Sequence, residues 1–386
     1  MAEAYIVEAA RTPGGRRKGG LASVHPADLG AVVLNALVER SGVDPAAIDD
    51  VIVGCVSQVG EQAFAFGRNM VLASKLPQTV PAVTIDRQCG SSQQALHFAA
   101  QAVMSGTQDL VIAAGAEHMT RVPMGSNVHL AQAAGLGEGP FSRAILDRFG
   151  VKGFSQFHGA QAISDKYGFS RAEMDAFALE SHRKARAAIE SGAFAAEIVP
   201  VETADGVVSQ DEGVRFDASI EAIGGVRTIA EGGSITAANA SQITDGASGV
   251  LIASETAIKR FGLKPLARIV NLTVTAGDPV IMLEEPIPAT ARALERSGLK
   301  IDDIDLFEVN EAFASVPMAW LKATGADAAK LNVNGGAIAL GHPLGGTGTK
   351  LMTTLVHALR ARGGRYGLQT MCEGGGIANV TIVEAV

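Results

Sequence analysis

Four short runs in the first third of the chain are apolar at nearly every position: "YIVEAA" from Tyr5, "DDVIVGCV" from Asp49, "PAVTIDR" from Pro81 and "DLVIAAG" from Asp109. Unbroken apolar runs of this length, set between helical stretches, predict buried strands of a parallel sheet. After Cys89 the spacing changes to the helical one, with Ala95, Phe98, Ala99, Ala102 and Val103 on one face and Gly106 at the stop. Cys89 is therefore expected at a strand-to-helix junction, followed at once by glycine and two serines.

A repeat runs through the pattern. "LVERSGVDPAAIDDVIVGCV" near Leu37 echoes "ALERSGLKIDDIDLFEVNEA" near Ala293, and both set an acidic turn and an apolar strand after Glu-Arg-Ser-Gly. A shift of about 256 residues carries Cys89 onto Gly345, where Leu351, Leu355, Ala358 and Leu359 share a helical face that ends at Gly363. Two similar α/β halves follow, with helix N-termini in comparable places. Between them, residues 119–242 turn polar and glycine-rich around one amphipathic stretch that opens at Ser170, with Glu173 completing a capping box. The expected division is 1–118 with 243–264, an inserted loop domain at 119–242, and 265–386.

Composition narrows the function classes. The 386 residues are 47% hydrophobic and 19% charged, and aromatics are only 5%, so the cores must be aliphatic. A formal net charge of -8 argues against a general nucleic-acid binder. No run reaches the roughly 18 apolar residues of a membrane span. The first residues carry Glu3 and Glu8 and no secretory core, and the closing "VEAV" matches no peroxisomal address. Cys55, Cys89 and Cys372 are odd in number and lack zinc spacing, which points to a reducing cytoplasm and no bound metal.

At a helix N-terminus the Cys89 thiol would be favoured as an anion, with Gly90 admitting a close ligand and Ser91 and Ser92 capping the helix. A buried apolar cysteine is the equal alternative. His342, between Gly341 and Pro343, can take the Cys89 proton to give a thiolate–imidazolium pair, or serve only as a turn residue. Cys372 precedes three glycines and can carry a second proton, with the Gly374 N–H as a donor, or can be a packed thiol. Asn310, at a strand end in "FEVNEAFA", can hold a water or a carbonyl oxygen, and Glu311 can orient its neighbours.

"CGSSQQA", "NEAFA", "NVNGGAIALGHPLGGTG" and "CEGGG", in this order and at these distances, resemble the thiolases from "EAARTPGG" to the C-terminus. "GCVSQ" and "EHMTRVPM" look more like the degradative 3-ketoacyl-CoA branch than the biosynthetic acetoacetyl-CoA branch. The resemblance implies two βαβαβαββ halves in a layered αβαβα fold with a long loop-domain insertion. It implies Cys89 as nucleophile and His342 as its activator. Asn310 would hold a water that joins His342 at the thioester oxygen, and Cys372 would be the acid or base at the α-carbon. The N–H groups of Cys89 and Gly374 would form the oxyanion hole of the acyl-enzyme. Coenzyme A would enter as co-substrate with no permanent cofactor, along Ser241 and Ala240 of "ITAANASQITDGA" and past Arg215 of "EGVRFD". By analogy the protein would be a homodimer or homotetramer.

The chain also departs from that family. Where many thiolases show Met-Gly it reads "SQFHGAQ", with His158 a doubtful stand-in for a CoA-contacting histidine, and Gln242 stands where glycine is usual. These changes leave acyl length and shape open, sterol side chains included. A ketoacyl synthase would have no use for the second cysteine. A papain-type hydrolase would want its motif near a mature N-terminus in an oxidising compartment. A non-catalytic CoA- or lipid-binding protein would not need Cys89, Asn310, His342 and Cys372 all intact.

Overall fold

The computed structural model describes residues 2–386. In chain order the first half contains β1 (Ala4–Arg11), α1 (Pro26–Ser41), β2 (Asp50–Gly54), α2 (Phe66–Ala73), β3 (Ala82–Ile85), α3 (Ser91–Met104) and β4 (Leu110–His118). The insertion follows, with α4 (Gln156–Tyr167) and α5 (Arg171–Glu190) as its longest helices, and β5 (Thr244–Ser254) returns to the sheet. The second half contains β6 (Ala267–Ala276), α6 (Pro286–Ser297), β7 (Leu306–Val309), α7 (Ser315–Thr324), α8 (Thr347–Ala361), β8 (Tyr366–Glu373) and β9 (Ile377–Ala385).

The repeat survives to the residue. α3 and α8 begin 256 positions apart, as do β4 and β8. The strands lie in the order β7-β8-β9-β6-β1-β5-β4-β2-β3, and the two halves join where Tyr5 and Ile6 pair with Arg268 and Ala267. The sheet is mixed rather than parallel: β2 runs parallel to β3 and β4, and β7 to β8, while the other ladders are antiparallel. The apolar runs arise because both faces are covered by helices, a condition that holds for either strand direction. The second half has no full counterpart of β3, only a bridge from Phe307 to Leu331.

Helices fall into three layers. α1 and α2 cover the outer face of the first half through Leu34, Leu37, Met70 and Val71. Trp320 of α7 and Ala289 of α6 cover that of the second through Phe307 and Val380. α3 and α8 form the middle layer, where Leu96, Ala99, Val103, Met352, Leu355 and Leu359 fill one core between the two half-sheets. α8 is buried from Thr347 to Leu359 apart from His357, so it behaves as a core helix rather than an amphipathic surface one.

The two middle helices meet at their N-terminal ends. A Cβ on Gly348 would run into the Gln93 backbone, and one on Gly54 into Ser92 and Gly345 backbone atoms. The Ser92 hydroxyl accepts from Thr349 N at 3.0 Å, in the first turn of α8. Neither Ser91 nor Ser92 caps α3 as expected: its N-cap is Gly90 with no side-chain bond, and Ser92 caps the sister helix instead.

The insertion is fastened by a buried ion cluster. Arg11 Nε donates to Glu197 at 2.6 Å, its terminal nitrogens bind Asp211 at 2.8 and 3.0 Å, and Phe194 stacks on the guanidinium at 4.9 Å. Ser170 and Glu173 form the expected capping box at the start of α5.

Replacing Gly348 with alanine should destabilise the fold by roughly 1–3 kcal/mol, because backbone rather than a flexible side chain blocks the new methyl. Gly224→Ala, whose Cβ meets nothing, should change stability by less than about 0.5 kcal/mol. Equal thermal melting of the two variants would refute the close approach.

Candidate active site

The chain reverses sharply before α3. Gln88 adopts φ 47°, in the left-handed region, and its N–H is held by Asp86 Oδ1 at 2.7 Å. Ser91 Oγ accepts from Arg87 N at 2.9 Å and donates to Gln88 O at 2.6 Å, so the turn carrying Cys89 is braced from both sides. Cys89 retains some open surface but packs with Val56, Met119 and Leu344.

The thiol is not a resident anion. Burial pushes it up to about 12, a charged Glu373 would add to the rise, and the N–H groups of Cys89 and Gly374 act in the opposite direction. Dehydration of the charged form thus outweighs the helix N-terminus. Burial also lowers His342 to about 3, with Lys350 nearby adding to the fall. Both shifts favour the neutral forms over the expected thiolate–imidazolium pair, and no hydrogen bond joins the two side chains among the described residues.

His342 is held by a directional chain. Thr347 Oγ1 donates to Pro343 O at 2.8 Å, so towards His342 Nδ1, 2.5 Å away, it acts as acceptor. The ring proton therefore sits on Nδ1 and leaves Nε2 unprotonated, accepting from the Asn310 amide N–H at 3.4 Å. Asn310 Oδ1 is buried without a partner, an open acceptor beside the imidazole. Cys372 is fully buried near the end of β8, and burial followed by the Cys89 sulfur drives its thiol well above the ordinary value. The structure thus groups Cys89 with Gly374 and Cys372, and His342 with Asn310.

A cavity of about 870 Å³ reaches His342 and residues packed against both cysteines. His342 lines it, together with Met119 and Leu344 that pack on Cys89, and Ala312 and Phe313 that pack with Cys372. Cys89 itself is not a lining residue. Ala240, Ser241 and Arg215 stand on the wall, and Arg16 and Arg17 join them. His158 is exposed and does not line the cavity; Gln156 and Phe157 do, with Phe157 edge-to-face on Phe313 at 5.6 Å.

Of the positioning groups, Glu117 and Lys350 carried no clear sequence signal, whereas Gln242 and Glu311 did. Glu117 accepts from Val56 N, Ser57 N and Gly345 N at 2.9 Å each, tying the histidine loop to β4. Gln242 donates to Gly213 O at 2.9 Å and Ile338 O at 2.7 Å while its carbonyl accepts from His342 N. Lys350 Nζ caps Leu340 O and Gly341 O at 2.6 and 2.9 Å. Glu311, noted as an orienting group, accepts from Ser181, Asn332 and Ile338.

Comparison with known proteins agrees with this architecture across both halves. The thiolase N-terminal domain profile matches residues 4–256 and the thiolase C-terminal domain profile residues 263–385. The chain belongs to the thiolase family. A steroid 3-ketoacyl-CoA thiolase of Mycobacterium tuberculosis is 54% identical over 385 residues, covering 100% of this chain and 94% of that one. A 3-ketoacyl-CoA thiolase of Bacillus subtilis is 40% identical over 399 residues, and one of Citrobacter koseri 41% over 398, each covering 100% of both chains. Thiolases are acyltransferases, and CoA is a substrate to them.

Thr347→Val should lower kcat by roughly 10- to 100-fold with little change in KM, since it frees the imidazole to take the wrong tautomer. Thr347→Ser should keep most of the activity; equal loss in both would point to packing instead. A second expectation concerns acid stability. His342, His97 and His182 are held at about 3, 3 and 4, below the ordinary histidine value of about 6.5. Below that value the unfolded chain binds protons that these rings refuse, so each ring's share of the stability falls as pH drops from about 6.5 towards 4, while buried carboxyls raised by burial, such as Glu117, Glu308 and Glu373, act in the opposite direction. The stability advantage of wild type over His97→Gln should therefore narrow as pH falls through that window; a gap independent of pH would contradict it.

Proposed function

We propose that the protein cleaves a 3-ketoacyl-CoA with coenzyme A, giving acetyl-CoA and a shortened acyl-CoA, by acyl transfer through Cys89. The observation that carries this reading is the braced cysteine with Gly374 N–H and a second thiol beside it, whose packing partners Met119 and Leu344 share a cavity with an imidazole that carries no proton on Nε2.

The Cys89 sulfur attacks the 3-keto carbon as His342 Nε2 takes its proton, so no free thiolate need accumulate. The carbon–carbon bond then breaks, its electron pair passing to the α-carbon as the acetyl-CoA enolate. A water on Asn310 Oδ1 and the protonated His342 stabilise that enolate oxygen, and Cys372 supplies the proton to carbon. The acyl group remains on Cys89 with its carbonyl oxygen towards the N–H groups of Cys89 and Gly374. The CoA thiol next gives its proton to the Cys372 thiolate and attacks the acyl carbon. Cys89 leaves and recovers its proton from His342.

Pantetheine would run along Ala240 and Ser241, with Arg215, Arg16 and Arg17 near the phosphates, so residues 119–242 form a CoA-binding loop domain over two catalytic halves divided at 1–118 with 243–264 and at 265–386. Phe157, Phe313, Met119 and Met124 line the same cavity, which favours a bulky acyl group and agrees with the steroid 3-ketoacyl-CoA of the Mycobacterium relative's name. The reaction belongs to lipid β-oxidation on this reading. Three free cysteines suit a reducing cytoplasm, and no described helix is long and apolar enough to cross a membrane. The half-exposed edge strand β3, with Val83 45% exposed and Phe64 nearby at 91%, favours pairing into a homodimer or homotetramer.

Incubation with a 3-ketoacyl-CoA should leave an acyl group on the Cys89 peptide by mass spectrometry. Cys372→Ala should still acylate from an acyl-CoA while carbon–carbon cleavage falls by at least about 10²-fold. An adduct only elsewhere, or full cleavage in that variant, would remove the mechanism. Rates across short, long and ring-bearing acyl groups then decide the acyl class.

A further inference from the structure

Glu373 follows Cys372 and is fully buried, yet the mechanism above gives it no part. Its Oε1 accepts only from Asn379 N at 3.1 Å, and its Oε2 is buried with no partner. No cation lies within ion-pair distance among the described residues. A bare carboxylate in such a place would be strongly disfavoured, whereas a protonated carboxyl needs far less solvation. The carboxyl also presses on the nucleophile turn: a Cβ on Gly90 would collide with it, so any larger residue after Cys89 would force the carboxyl to move.

The groups around it are few. Arg87 and Cys89 face it from the turn before α3, with Asp86 acting on Cys89 from the same turn, and Cys372 is on its own strand. His97 of α3 reaches the same place through Asn379 and is neutral. Arg87, from beyond contact distance, and the Asn379 N–H favour ionisation of Glu373, and burial opposes it more strongly.

Resting on the thiolase reading, we propose that Glu373 is a positioning residue kept as an uncharged carboxylic acid, filling the space beneath the Cys89 turn and sparing both sulfurs a neighbouring negative charge as they ionise. A charge there would oppose every step in which Cys89 or Cys372 becomes a thiolate. The sign is fixed: raising pH ionises Glu373, disfavours the thiolates and lowers the rate.

Glu373→Gln keeps shape and neutrality. Its kcat/KM at neutral pH should stay within about threefold of wild type, and the alkaline fall of its pH–rate profile should move to higher pH. A loss of more than about 100-fold at neutral pH, or an unmoved alkaline limb in a folded variant, overturns the proposal. Independently, the infrared difference between wild type and Glu373→Gln at neutral pH should contain the carbonyl stretch of a protonated carboxyl. A carboxylate band in its place overturns the proposal without reference to activity. Wild-type protein that cleaves no 3-ketoacyl-CoA would instead sink the functional reading, and the infrared band would still decide the state of Glu373.

Discussion

Two helix N-termini pressed together at a glycine contact are the constraint on which the rest depends. α3 and α8 belong to different halves, and each opens just after a segment bearing a candidate reactive side chain. Because Gly348 allows backbone contact with Gln93, the unpaired N–H of Thr349 finds the Ser92 hydroxyl across the interface. Such contact rows tolerate almost no added volume. The position of Cys89 relative to the His342 loop is therefore set by packing between repeats rather than by a flexible loop. Glu117 reinforces it, since one carboxylate gathers N–H groups from the β2 exit and from Gly345.

Burial at this junction has an electrostatic consequence. Removing water disfavours every charge, so Cys89 and Cys372 are thiols and His342 is an imidazole. A site of this kind stores no ion pair in the resting state. It offers fixed N–H donors and an orphaned amide oxygen where charge would develop, and such fixed dipoles act strongly in a dry site because they need not reorganise. Proton movements and bond changes must then be concerted, a reason for the Nε2 lone pair to be held by a chain ending at Pro343 O.

Much of this was legible in the sequence, and the reasons differ by residue. The spacing of 256 residues between repeats is a covalent fact, so the paired helix starts followed from pattern alone. Glycine-flanked Cys89, His342 and Cys372 stood out because close backbone approach leaves a compositional trace. The state of the thiol did not, because its sign turns on burial, which arises only when both halves close. Ser92 was misassigned for the same reason: a hydroxyl at a helix start caps whichever N–H is nearest, and here that N–H belongs to the other repeat. Gln242 looked like a departure from glycine but fills its place by bonding two carbonyls around His342. The missing counterpart of β3 was invisible because a single bridge leaves no periodicity.

The central claim, that the nucleophile rests as a largely buried, neutral thiol between two interlocked repeats, meets its most direct test in the pH dependence of Cys89 alkylation by iodoacetamide without substrate. The account predicts slow reaction at neutral pH and a rate still climbing near about pH 10, past the free-thiol value of about 8.5. A plateau reached by about pH 7 would reveal a resident thiolate and contradict it.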